Sequence, residues 1–236
     1  MKILIVDRDV VTANLLKSRL VPMGHSVEIH ADRTEGLDKM VAEGWDVVMV
    51  DPSPMTTAKP MVVNIRRQNH RHAYMILLSD TLGSHDALTA GFNAFLSKPV
   101  DMNAMLDLMD GAKYLMGLQR HLADDKIDFP SAGGVIAKSA FNQLFLSSME
   151  RADRYGEEAN IIFITFENYT QVAAESGQYE ADTVSARLAQ SLVQMRRQTD
   201  IIAQIKPNEY ALLLLRPMTE SEPVEAANRF AESLSK

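Results

Sequence analysis

The run Val47-Val48-Met49-Val50 ends abruptly in Asp51, and an apolar strand closed by a carboxylate constrains the fold of this chain more than any other stretch. Two segments match it, Ile3-Leu4-Ile5-Val6-Asp7 near the start and Ala94-Phe95-Leu96-Ser97-Lys98-Pro99 further on. Each is a short run of branched or aromatic residues, the pattern of a strand buried on both faces in a parallel sheet. Helix-like stretches of roughly ten residues separate such runs, so the order is β-α-β-α and the strands share one sheet with right-handed crossovers. Ligands of such sheets bind beyond the carboxyl ends of the strands. Asp7, Asp51 and Lys98 all fall there, which predicts an acidic pocket faced by an ammonium.

In chain order, residues 9–20 carry Leu15, Leu16 and Leu20 at helical spacing, and Pro22-Met23-Gly24 ends the helix. Residues 26–30 read as a second strand, followed by a helix with Leu37, Met40 and Val41 on its inward side. After Asp51 come a loop with Pro52 and Pro54, a helix over about 60–68, a fourth strand over 73–78 that ends at Ser79, and a fifth that ends near Ser97.

At these residues the first 120 or so positions resemble the receiver domain of two-component response regulators, a flavodoxin-like α/β fold with a doubly wound, parallel, five-stranded sheet. That family carries an acidic pair after strand one, a phosphoacceptor aspartate after strand three, Ser or Thr after strand four and Lys-Pro after strand five. Asp7, Asp51, Ser79 and Lys98 match in order and spacing, and Phe95 falls at the family's aromatic switch position. The resemblance implies that Asp51 takes a phosphoryl group from a sensor histidine kinase or phosphotransfer protein. A carboxylate attacks a phosphoryl group readily only when a divalent cation neutralises the gathered negative charge, so Mg2+ would be held by Asp7 and Asp51. Lys98 would contact a phosphoryl oxygen, Ser79 would donate to the modified aspartate, and Phe95 would turn into the space Ser79 vacates, altering a face used for dimerisation or for a downstream protein partner.

The sequence departs from that pattern in two places. Arg8 occupies the second acidic position, so either Asp9 serves as the missing metal ligand or one ligand is lost; the guanidinium either neutralises Asp51 or points to solvent. The loop reads Pro54-Met55, reversing the family's usual Met-Pro, and Lys59 stands at its turn glycine. If Asp51 is not phosphorylated, Asp51 and Lys98 form a constitutive structural ion pair.

Composition narrows the function classes. The chain has 236 residues, enough for two domains, with 46% hydrophobic residues, 23% charged and no cysteine. No disulfide, thiolate nucleophile or Cys-type zinc site is available, and no signal peptide or apolar run of membrane-spanning length is evident, which leads to the expectation of a cytoplasmic protein. A net charge of −7 disfavours nucleic-acid binding. The basic stretch Arg66-Arg67-Gln68-Asn69-His70-Arg71-His72 reads as a solvated helix end or as an anion or partner site, and His70 and His72 lack a third metal ligand nearby.

Residues 101–123 form one helical stripe through Met102, Met105, Leu106 and Met109. Its first part covers the sheet, and its later part suits a dimer contact or a rigid connection. The charged, Pro- and Gly-containing stretch that follows gives the boundaries 1–122 for the first domain, 123–134 for a linker and 135–236 for the second domain. There, helices over 138–154, 179–197 and 221–234, a strand over 160–166 and a hairpin turned at Lys206-Pro207-Asn208 predict an α+β domain.

This second order resembles the GGDEF domain of diguanylate cyclases, a nucleotidyl-cyclase-like fold, with Lys206-Pro207-Asn208-Glu209-Tyr210 standing at the signature turn. The resemblance also shows what is missing. Pro207 and Lys206 replace the paired glycines that let backbone approach phosphate, Thr165 and Asn208 fall at the metal-binding carboxylates, Ala173 at the guanine-reading Asn and Thr170 at the phosphate-binding Lys, while Asp182, a second guanine contact, remains. The expectation is a degenerate domain without cyclase activity, and so a chain that is not an enzyme. Arg197 and Asp200 match the family's Arg-x-x-Asp product-inhibition motif, so they are candidate cyclic di-GMP contacts; alternatively Asp200 braces the strand start and Arg197 is an exposed helix-end cation. The combined expectation is a response regulator that works through protein contacts. The alternatives are a scaffold independent of phosphorylation, or an enzyme with residual nucleotide chemistry.

Overall fold

The computed structural model describes residues 1–54, 59–68, 73–123 and 128–234, with backbone alone at 64–68 and 153–154. Met55, the His70/His72 pair and Asp124 through Ile127 lie outside the described residues, as do the side chains of Arg66 and Arg67. Two compact units result, Met1–Arg120 with Asp153–Gly156, and His121–Ala152 with Glu157–Lys236.

In the first unit the apolar runs become strands β1 (Lys2–Val6), β2 (Ser26–His30), β3 (Val47–Val50), β4 (Tyr74–Ser79) and β5 (Ala94–Ser97), all parallel and ordered β2-β1-β3-β4-β5. This is the flavodoxin-like, doubly wound order. Successive residues of the central strands point to opposite faces. Leu4, Val6, Val48, Val50 and Leu77 pack with α2 (Arg33–Ala42), α3 (Lys59–Gln68) and α4 (Ser84–Ala90). On the other face, Ile3, Ile5, Val47, Met49 and Ile76 pack with α1 (Val10–Leu20) and α5 (Met102–Leu122). Burial on both sides is the reason these strands read as continuous apolar runs. Helix α4 is an element that hydrophobic spacing alone does not reveal: it is short, starts at Gly83 without a side-chain cap and stops at Gly91, whose φ of 95° supplies the left-handed turn.

In the second unit, β6 (Ala159–Thr165), β7 (Ile201–Lys206) and β8 (Glu209–Leu215) form an antiparallel sheet ordered β6-β8-β7. It is accompanied by α6 (Lys138–Tyr155), α7 (Tyr169–Ser176), α8 (Gln178–Met195) and α9 (Glu222–Leu234). The hairpin expected at Lys206-Pro207-Asn208 is present between β7 and β8. Helix α7 is absent from the periodicity reading, and none of its residues is buried, so no apolar stripe betrays it. The described part of the expected 123–134 linker is structured: Asp128 accepts the Ser139 amide at 3.0 Å, and Ala132 bridges Val135 around Gly133 and Gly134. A Cβ on Gly134 would come within 2.8 Å of Val193, so this turn lies hard against α8. Gly133 and Gly134 thus form a turn that approaches α8 closely.

Gly36 in α2 permits a similar close approach, since a Cβ there would meet the methyls of Val6 at 2.6 and 2.7 Å. Val6 immediately precedes Asp7, so this contact helps set the floor of the pocket at the end of β1. Gly36→Val is expected to cost about 1–3 kcal/mol through overpacking, measured by urea denaturation followed by circular dichroism.

Candidate functional site

The ladder carries three polar residues just past the ends of their strands. Asp7 N–H donates to His30 O at 3.0 Å, Asp51 N–H to Val6 O at 2.9 Å, and Lys98 N–H to Ser79 O at 3.0 Å. These bonds fix the backbone of Asp7, Asp51 and Lys98, and their side chains converge as the sequence leads one to expect. Lys98 Nζ donates to Asp7 Oδ1 at 2.9 Å, lies 2.7 Å from Asp7 Oδ2, and also donates to Asp51 Oδ2. The three side chains are 12%, 1% and 11% exposed respectively.

Two carboxylates facing one ammonium leave the cluster a net negative charge. Burial pushes the Asp7 carboxyl above its ordinary range, and the Lys98 hydrogen bond only partly offsets it. Burial also opposes the charge on Lys98, but its hydrogen bonds to Asp51 and Asp7 outweigh this and raise its pKa. Asp7 Oδ2 is buried with the Lys98 ammonium 2.7 Å away, whose hydrogen bond goes to Oδ1. Asp51 Oδ1 accepts from Ser53 N–H at 2.7 Å, which orients the carboxylate.

The supporting residues behave differently from one another. Asp9 is the N-cap of α1: its oxygens accept from Val11 N, Thr12 N and Thr12 Oγ1 at 3.0, 3.2 and 2.6 Å. The expected metal trio of Asp7, Asp9 and Asp51 therefore does not assemble, and among the described residues no three His, Cys, Asp or Glu side chains converge on a metal position. Arg8 is exposed, and its charge helps to lower the pKa of Asp32, behind the backbone hydrogen bonds from Glu35 and Thr34. Ser79 is buried with Oγ accepting from Thr81 N and Leu82 N, so its hydroxyl is turned onto its own loop. Phe95 is half-buried against the core beneath α4. Arg33, which sequence patterning does not single out, donates to Pro52 O at 3.3 Å and steadies the loop beside Asp51.

Mg2+ fits this donor set in one respect. It commonly uses one or two carboxylates and completes its shell with waters and phosphate, and Asp7 and Asp51 supply hard carboxylate oxygens at adjacent strand ends.

In the second unit the groups at the signature turn are bonded inward. Pro207 O accepts from Ser185 Oγ at 2.7 Å, and Asn208 O accepts from Phe166 N at 2.8 Å. Glu209 is buried, 2.8 Å from His121 Nε2 and 2.7 Å from Lys206 Nζ. Burial opposes its ionisation, yet the bonds from Lys206 and His121 prevail and lower its pKa. Asp182 accepts from Tyr169 OH at 2.5 Å and Gln178 Nε2 at 3.0 Å. Asp200 is 4% exposed and accepts the Arg197 amide at 3.0 Å, while the Arg197 side chain pairs with Glu222. Arg196, to which the sequence assigns no role, donates to Asp200 O at 2.5 Å and so closes this loop.

With that geometry in hand, residues 131–236 match the family model of the GGDEF domain, diguanylate cyclase. The first half is similar to solved receiver structures. A CheY-like receiver domain protein from Methanospirillum hungatei JF-1 is 24% identical over 49% of this chain and 96% of its own, with a TM-score of 0.44. Chemotaxis protein CheY4 of Vibrio cholerae is 23% identical over 47% and 97%, at 0.42, and the Francisella response regulator 1452 receiver domain 22% over 48% and 98%, at 0.43. No curated protein matches the chain. The chain thus joins a flavodoxin-like, doubly wound unit to a stretch that matches the GGDEF domain. Among the described residues no helix is long and apolar enough to cross a membrane.

The raised Asp7 carboxyl has a definite sign. Its contribution to stability is present below the ordinary aspartate range and is lost as pH rises through the raised value, so ionised Asp7 burdens the fold at neutral pH. Asp7→Asn is therefore expected to be more stable than wild type at pH 7, with the advantage vanishing in acid. Lys98→Ala, which leaves two buried carboxylates facing each other, is expected to lose about 3–5 kcal/mol. Urea titrations across pH measure both.

Proposed function

We propose that the chain is a response regulator in which Asp51 accepts a phosphoryl group, and that its GGDEF domain acts by binding instead of by synthesis. The observation that carries the first half is the Lys98 ammonium bridging Asp7 and Asp51 at the carboxyl ends of β5, β1 and β3. A carboxylate oxygen of Asp51 attacks phosphorus, the P–N bond of a phosphohistidine donor breaks, and the imidazole keeps the electron pair. Ser53 N–H holds the Asp51 carboxylate in place, and Lys98 meets the charge that arrives with the phosphoryl oxygens. Mg2+, held by Asp7 and Asp51, would supply charge neutralisation when bound. Asp9 stays the cap of α1 in this reading.

Modification of Asp51 draws the Ser79 hydroxyl off its own loop, and Phe95 gains room to turn inward. The donor is a histidine kinase or phosphotransfer protein, and the output is a changed contact with a protein partner. Incubation with acetyl phosphate and Mg2+ is expected to add one phosphoryl group, detected by intact mass, and Asp51→Asn to abolish it. Modification elsewhere, or none, overturns the assignment.

Loss of synthesis is supported by uncharged Thr165 and Asn208, by Pro207 in the turn, and by Asp182 engaged with Tyr169. With GTP and Mg2+ no linear or cyclic dinucleotide is expected; any product contradicts this half. Cyclic di-GMP at Arg197 and Asp200 requires Arg197 to leave Glu222 and Asp200 to be uncovered. Calorimetry is therefore expected to show no saturable heat. Saturable binding that disappears in Arg197→Ala would make the domain a receptor for the dinucleotide.

A further inference from the structure

The peptide between Pro52 and Ser53 is bonded at both ends. Ser53 N–H donates to Asp51 Oδ1 at 2.7 Å, while Pro52 O accepts from Arg33 Nη1 at 3.3 Å. The unit is trans and planar, so its N–H and C=O point in opposite directions on one rigid plate. Arg33 and the Asp51 carboxylate are therefore joined through a single peptide plane. Pro52 is buried and its ring fixes φ, which leaves ψ of Pro52 as the rotation that aims this plane. Ser53 is exposed, and the bond from Arg33 restrains that rotation from the side away from Asp51.

Arg33 reaches this position from a distance. It stands in the first turn of α2, after β2, whereas Pro52 follows β3, and the sheet order places β1 between them. Two strand spacings are roughly 10 Å, which asks for a long side chain and passes it over the end of β1, where Asp7 lies. The root of that side chain is fixed. Asp32 caps α2 by accepting from Thr34 N and Glu35 N at 2.8 and 3.0 Å, and Gly36 brings the helix against Val6. Local helix physics does not ask for a cation here, because the first turn lies at the positive end of the helix dipole. The neighbouring Asp32 feels the Arg33 charge, but the guanidinium bonds across the sheet.

We propose that Arg33 is a positioning residue for phosphoryl transfer to Asp51, acting through the Pro52–Ser53 peptide; the inference rests on Asp51 being the phosphoacceptor. A guanidinium on the carbonyl polarises the amide, and hydrogen bonds in series strengthen one another. Ser53 N–H thereby becomes a better donor to Oδ1, Lys98 holds Oδ2, and the carboxylate presents one orientation to the phosphorus. In this role Arg33 touches neither Asp51 nor the incoming group. It acts on the limiting rate and leaves affinity for the donor alone.

The test follows the full chain with acetyl phosphate and Mg2+ in wild type, Arg33→Ala and Arg33→Lys. Intact mass gives initial rates across donor concentration, and NMR gives the Ser53 amide proton. Arg33→Ala is expected to lower the limiting rate roughly three- to tenfold, the scale of one hydrogen bond, with the half-saturating concentration of acetyl phosphate unchanged. Its Ser53 amide proton is expected to move upfield as the bond to Asp51 weakens, and Arg33→Lys, which keeps a cationic donor without the planar fork, to restore part of both. A wild-type limiting rate in Arg33→Ala, or a Ser53 amide that does not move, overturns the inference. So does a raised half-saturation at unchanged limiting rate, which would make Arg33 a contact for the donor. Any of these three results, with wild type modified at Asp51, fails Arg33 alone. No uptake by wild type fails the reading of Asp51 as acceptor, and the role of Arg33 with it.

Discussion

The first unit depends on one ammonium held between two carboxylates. At an effective dielectric of about 20, a contact pair gains roughly 4 kcal/mol, while removing each ion from water costs several kcal/mol. Lys98 serves Asp7 and Asp51 at once, and the two acids repel each other, so the cluster sits close to balance with negative charge in excess. In the proposed reading such a site responds when positive charge or a phosphoryl group arrives. The ladder bonds of Asp7, Asp51 and Lys98 keep the backbone fixed, so a change of charge must be answered by side chains. Ser79 closes β4 and Phe95 of β5 lies level with Leu77; in the proposed reading these are the side chains that answer.

In the second unit the polar groups around the β7–β8 turn are bonded to one another. Groups at the positions of a nucleotide site satisfy one another: Tyr169 and Gln178 occupy Asp182, Ser185 holds the Pro207 carbonyl, and Lys206 with His121 neutralises Glu209. Glu209 and Ser185 are buried, where polar groups need partners, and these bonds hold the turn.

The central strands of the first unit are legible because burial on both faces leaves continuous apolar runs, and the polar residues at their ends follow from strand length. The sense of Asp9 is not legible. An aspartate three residues past the strand suits a metal ligand or a helix cap equally well, and only the path of α1 makes it the cap. Asp200 is similar, since its burial depends on Arg196 closing over it. Helices α4 and α7 escape detection because they are short and lack a clear stripe.

The most direct measurement of the central claim is an NMR titration with beryllofluoride, a mimic of the phosphoryl group on aspartate, in the presence of Mg2+. Saturable shifts at Asp51, Lys98, Ser79 and Phe95 in wild type, absent in Asp51→Asn, are the predicted result. Unchanged spectra at those four residues would mean that Asp7, Asp51 and Lys98 form a fixed structural cluster, and would contradict the account.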